Sequence, residues 1–163
     1  ALTLIHEIHL ALELAGFPVS VMGEVSDYNE LDLDVDVCSD LMIKHKAGAV
    51  SQIHLDYIQR TSHRSGLVTF EMGWLSYDFT KSELIGQKKG GEIHIIWSDQ
   101  NYDYNKVYIN QMMEFVRFVE EGRLKHKYDA KSSVESLTVV ESLFESSSSG
   151  KKVNIENNNR FSF

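Results

Sequence analysis

His6, His9 and Glu13 stand at i, i+3 and i+7 in LTLIHEIHLALELAG, residues 2–16. That spacing puts all three on one face of a helix. Imidazole and carboxylate are ligands for a divalent metal such as zinc. The order His-Glu-Ile-His is not the HExxH of metalloproteases, and histidines hydrogen-bonded at a helix surface or pocket rim account for the same residues. No metal is expected there. A lone imidazole at position 6 also suits general acid/base work, because it titrates near neutral pH. Tyr57, Arg60, His63 and Arg64 form a second group, at the end of an alternating run and in the polar stretch after it. Arg can clamp a carboxylate or phosphate bidentately, and Tyr adds a donor and a flat face. The competing use is an exposed strand end with solvated charges. Cys38, the single cysteine, shows no His/Asp companion pattern and reads as a packed thiol. QKKGG, residues 87–91, contains neither GxGxxG nor a P-loop and reads as a surface turn. No GxSxG signals a nucleophilic hydrolase.

These groups need elements to hold them. Leu4, Ile8, Leu12 and Ala15 recur at helical spacing, and Leu10 and Leu14 widen the stripe, which predicts a helix buried on several sides. Gly16 and Pro18 end it. Residues 19–25 read as a short strand. Residues 35–46 and 50–60 read as a hairpin about the turn at Lys46–Ala49. In it Val37, Leu41, Ile43, Ile53, Leu55 and Tyr57 take one face, and Asp36, Asp40, His54, Asp56 and Arg60 the other. Strands follow at 67–72, at 74–79 with 83–85 as its extension, and at 92–97. Trp74, Tyr77, Phe79 and Trp97 suggest an aromatic sheet face.

The period then changes. Tyr104 to Val119 follow the apolar spacing of an amphipathic helix ending at Gly122. Asp129 is the expected N-cap of a last helix over 130–149, closed by Gly150. Residues 152–155 can add an edge strand, and residues 156–163 form a polar tail. Ser146–Ser149 is low-complexity and fits a helix end. A helix, about six grouped strands and two helices imply an α+β fold. Its expected form is an open, mostly antiparallel β-sheet with helices packed on one face.

At 163 residues the chain is long enough for one domain with a real core. The formal net charge of −8 argues against a general nucleic-acid or anionic-membrane surface. No apolar run reaches transmembrane length and no signal-peptide pattern is present. One cysteine excludes an intrachain disulfide framework, which fits a cytoplasmic setting. The chain begins inside a helical pattern without Met, which points to a piece of a longer polypeptide with the rest upstream.

Several words in this order resemble a known family. LTLIHEIHLALELAGFPVSVMGEVS is similar to the start of the C-terminal domain of Gfo/Idh/MocA oxidoreductases, where a His-bearing helix leads into a strand. AGAVSQIHLDYIQR resembles the family's hairpin strand, in the form common in branches from cell-surface sugar pathways. YINQMMEFVRFVEEG and ESLTVVESLFESSSSGKKVNI resemble its two closing helices and last short strand. The resemblance spans residues 1–155. It implies the C-terminal substrate and oligomerisation domain of a two-domain enzyme whose N-terminal Rossmann domain binds NAD or NADP. It also implies a sugar, sugar acid or nucleotide sugar as substrate, and a homo-oligomer formed through the sheet face. By that resemblance His6 is the catalytic residue, and Glu7, His9, Tyr57 and Arg60 are substrate-binding. The family commonly has Asp four residues before this His and three after; here Leu2 and His9 stand there. The Rossmann glycines and the family's Glu-Lys-Pro lysine motif are absent, so this piece alone is expected to be inactive and to hold no cofactor. The alternative from another class is a non-catalytic protein- or carbohydrate-binding module using the aromatic sheet face.

Overall fold

The computed structural model describes residues 5–27, 36–123 and 130–155, with side chains from 133 onward in the last segment. In chain order the elements are α1 (Ile5–Ala15), β1 (Pro18–Ser26), β2 (Cys38–His45), β3 (Val50–Asp56), β4 (Ser65–Phe70), β5 (Gly73–Asp78), β6 (Glu83–Lys88), β7 (Ile93–Ser98), α2 (Asn105–Glu120), α3 (Ala130–Ser149) and β8 (Val153–Asn154). They belong to two compact units, Ala1–Ile58 with Lys125–Phe163, and Gln59–Leu124. The class is α+β with antiparallel strand pairing, as the grouping of strands predicts. The strands form two four-stranded sheets, β3-β2-β1-β8 and β4-β5-β6-β7. The expected N-cap Asp129, Val35 and the 156–163 tail lie outside the described residues.

In the first unit the strand alternation does what its period requires. Along β2, Ser39, Leu41, Ile43 and His45 are buried while Asp40, Met42 and Lys44 are exposed. Leu41 and Ile43 join Val21, Leu55, Ile8 and Leu12 of α1, and Val139, Val140 and Leu143 of α3 in one apolar cluster. Each such side chain contributes about 1.5–3 kcal/mol by leaving water. Both helices therefore cover the same face of this sheet. The helix α1 buries only one stripe, not several sides. Leu10 and Leu14 lie roughly 200° and 240° round the helix from Ile8, and Leu14 is exposed.

Gly16 ends α1 at φ +81°, its N–H donating to Leu12 O at 2.8 Å. Fully buried His45 fastens that end to the sheet: its Nδ1 is 2.7 Å from Gly16 O and its Nε2 2.8 Å from Ser51 Oγ. The turn between β2 and β3 closes through Gly48 at φ +93°. β3 stops at Asp56 instead of running to Arg60. The Asp56 carboxylate takes the Ile58 N–H at 2.8 Å, an Asx turn that competes with the ladder.

The second unit is a meander of β4 to β7 with α2. The stretch 83–88 is a strand of its own, β6, and not an extension of 74–79. The chain turns between them because Asp78 Oδ1 accepts from Thr80 N, Thr80 Oγ1 and Lys81 N at 2.9, 2.6 and 3.1 Å. The expected turn at 87–91 begins later, at Lys88. Gln87 stays in the strand, accepting from Trp74 Nε1 at 2.8 Å and donating to Gly91 O at 2.8 Å. The aromatic face is also divided. Trp74 and Tyr77 stand three apart on β5 and so on opposite faces. Tyr77 instead shares its face with Trp97 through Leu84. The helix α2 ends as expected in a Schellman turn, with Gly122 N and Arg123 N donating to Val119 O and Phe118 O. It buries none of its side chains.

Candidate functional site

The first turns of α1 carry three of the five expected site residues. His6 is exposed, while Glu7 and His9 are half-buried. Counting 100° per residue, His6, Leu10 and Glu13 lie on the side of α1 turned from Ile8 and the sheet. Glu13 is exposed on that side. His9 lies between this side and α3, where its Nδ1 sits 3.2 Å from Ser136 Oγ. That bond fixes the imidazole plane beside the exposed His6. The helix is held against α3 and β3 by Ile8 and Leu12, and this packing sets the position of His6.

The other two expected residues fall in different units. Tyr57 follows β3 in the first unit, exposed, with its N–H on Val37 O at 3.0 Å. Arg60 is exposed in the following loop and belongs to the second unit. Its neighbours in sequence are occupied elsewhere. The Arg64 guanidinium lies 4.4 Å over the Phe79 ring, and His63 Nε2 is 2.9 Å from Ser65 Oγ. Arg64 is thus a cation–π partner within the second unit.

A constellation that the sequence reading missed lies on the outer face of the first sheet. His54 Nδ1 is 2.7 Å from Asp40 Oδ1, its Nε2 is 3.1 Å from Asp56 Oδ2, and the Cys38 thiol donates to Asp40 Oδ2 at 3.7 Å. The hydrogen bond to Asp40 raises the His54 pKa despite partial burial. Burial, then the charge of Asp40, pushes the Cys38 thiol up, so it is a poor nucleophile at neutral pH. Cys38 therefore does have His and Asp companions. The signal lay in register: Cys38 pairs with Asp56 and Asp40 with His54 across the β2–β3 hairpin.

No family model matches the chain, and no curated protein matches it by sequence. Solved structures match it by fold. An aldose-aldose oxidoreductase from Caulobacter crescentus in complex with glycerol is 18% identical with a TM-score of 0.78, over 93% of this chain and 45% of that one. Levoglucosan dehydrogenase in complex with NADH and levoglucosan is 17% identical with a TM-score of 0.79, over 94% and 49%. GenD2 from gentamicin A biosynthesis, in complex with NAD, is 16% identical with a TM-score of 0.74, over 93% and 46%. The chain spans about half the length of these proteins. Its fold is thus one found in Gfo/Idh/MocA-type sugar oxidoreductases, the fold the sequence resemblance implies.

Proposed function

We propose that this chain is the substrate-binding and oligomerisation domain of an NAD(P)-dependent oxidoreductase acting on a sugar, sugar acid or nucleotide sugar. The observation that carries the reading is the fold likeness, over more than nine-tenths of the chain, to oxidoreductases solved with NAD or NADH. The exposed His6 on a firmly packed helix supports it. In this reading His6 takes the proton of the substrate hydroxyl as it becomes a carbonyl. Glu7 and His9 hydrogen-bond neighbouring hydroxyls, and Tyr57 holds a more distant polar group.

The dinucleotide does not fit the residues described. Every described strand pairing is antiparallel, so no βαβ crossover with a glycine-rich turn is available to hold a pyrophosphate. NAD or NADP, which would accept the hydride, belongs to a Rossmann domain upstream, and this chain alone is inactive. No helix among the described residues is long and apolar enough to cross a membrane. The test is dinucleotide-linked oxidation of a panel of sugars and sugar acids by the polypeptide that carries this chain with its upstream sequence. Reduced nicotinamide formed with at least one substrate supports the proposal. No turnover, and no GxGxxG strand–turn–helix upstream, overturns it.

A second reading keeps one specific support. Trp97, Tyr102 and Tyr104 stack edge to face in the second unit, with centroids 5.7 and 5.4 Å apart, and Trp97 is exposed. Aromatic faces of this kind bind carbohydrate or protein. Sugar binding by the chain without any turnover of the longer polypeptide would favour that module.

A further inference from the structure

We infer that Cys38, Asp40 and His54 form a binding site for a zinc-class divalent cation on the outer face of the first sheet. The register of the β2–β3 hairpin sets these residues side by side on the face opposite the helices. One ligand atom from each, the Cys38 Sγ, an Asp40 carboxylate oxygen and a His54 ring nitrogen, lies within 4.8 Å of the other two. Tetrahedral zinc, with bonds of about 2.0–2.3 Å, spaces its ligand atoms roughly 3.3–3.8 Å apart. Small side-chain rotations about fixed strand positions therefore close all three on one ion. A thiolate, an imidazole and a carboxylate select zinc or cobalt over the hard cations magnesium and calcium, which prefer all-oxygen sites.

The surroundings of His54 supply an independent observation. Its Nδ1 faces the Asp40 and Cys38 side, while its Nε2 is 3.1 Å from Asp56 Oδ2. The Asp56 carboxylate is itself nearly buried, and its other oxygen is held by the Ile58 N–H at 2.8 Å. Both ring nitrogens face carboxylates, so an ion at Nδ1 takes the place of the proton shared with Asp40, and the Asp56 carboxylate on the far nitrogen orients the ring, as in metal-ligating histidines. The charge of the face favours a cation as well. Glu24 of β1 stands opposite Asp40 in register, and Asp56 is in the next row. Lys44 lies two rows away along β2. Asp40 and His54 are exposed, so an ion enters from solvent and a water or a partner's group takes its fourth position.

This site lies on the other side of the sheet from α1 and does not depend on the role proposed for His6. The probe is cobalt(II) alone, then zinc(II) alone, added to this chain. Cys38 is its single cysteine, so a thiolate-to-cobalt charge-transfer band reports Cys38 without any substitution. We expect that band at one cobalt per chain, and its loss as zinc displaces cobalt. Asp56→Asn keeps the three ligands and should weaken zinc binding 10–100-fold. His54→Ala, at an exposed position, should weaken it at least as much. A folded chain that gives no thiolate band overturns the inference. So does zinc affinity that is unchanged in His54→Ala.

Discussion

Asp78 shows how one side chain sets a local turn. Its carboxylate accepts from the Thr80 hydroxyl and backbone and from Lys81 N, and its second oxygen pairs with Lys81 Nζ at 3.1 Å. The Thr80 hydroxyl first, then Lys81, hold the carboxyl at a pKa of about 2, down from 3.8. A carboxylate with a depressed folded-state pKa stabilises fully above its unfolded value. That contribution is lost as pH falls from near 4 through about 2. An NMR titration of the Asp78 side-chain carbonyl should give a midpoint near 2, and an ordinary midpoint near 4 would refute the turn as drawn. At the same scale the identity of each chemical group was legible in the sequence, but its neighbours were not. Arg64 was visible as a cation. Its seat over Phe79 was not, because that contact joins the loop before β4 to the residue just past the end of β5.

At the scale of elements, the serine run closing α3 seals an open sheet edge. β8 pairs with β1 only at Ser20 and Val21. Beyond them the N–H groups of Gly23 and Val25 donate to Ser146 Oγ and Ser147 Oγ at 3.1 and 3.0 Å. The Ser146 hydroxyl in turn donates to Lys151 O at 2.7 Å, so one buried oxygen satisfies two backbone groups. The close approach needs Gly23, since a Cβ there would stand 2.6 Å from Leu143 Cδ1 and 2.3 Å from Asp40 O. Ser146→Ala leaves the part-buried Gly23 N–H and the Lys151 carbonyl without this partner. It should cost about 1–3 kcal/mol in denaturant unfolding, whereas the exposed Ser148→Ala should cost little. An unchanged midpoint for Ser146→Ala would contradict the sealing role. The elements themselves were largely legible: α1, β1, β2, α2 and α3 follow from periodicity and from Gly16, Gly122 and Gly150 as stops. The end of β3 and the separate β6 were not, because Asp56 and Asp78 capture backbone N–H groups that composition alone leaves in a strand. Nor did composition distinguish a low-complexity serine helix end from a serine edge seal.

At the scale of the whole molecule, the second unit exposes much apolar surface. Leu67, Ile93 and Ile95, which the register puts on one face of the second sheet, are exposed, as are Tyr108 and Met112 of α2, which buries no side chain. Such surface exceeds what scattered exposed apolar residues explain and marks a contact face. Self-association through it is the expected use, and sedimentation of the chain at tens of micromolar should show dimers or larger species. A single monomeric boundary would count against it. The same account makes this chain half of an enzyme, with His6 at the reacting hydroxyl. The measurement that addresses that claim most directly is steady-state turnover of the longer polypeptide with and without His6→Ala. Loss of a positioned acid/base lowers kcat by about 10²–10⁴-fold. The account predicts a fall of that size with thermal stability unchanged, since His6 is exposed and outside the core cluster. Full turnover in a stably folded His6→Ala enzyme would contradict it.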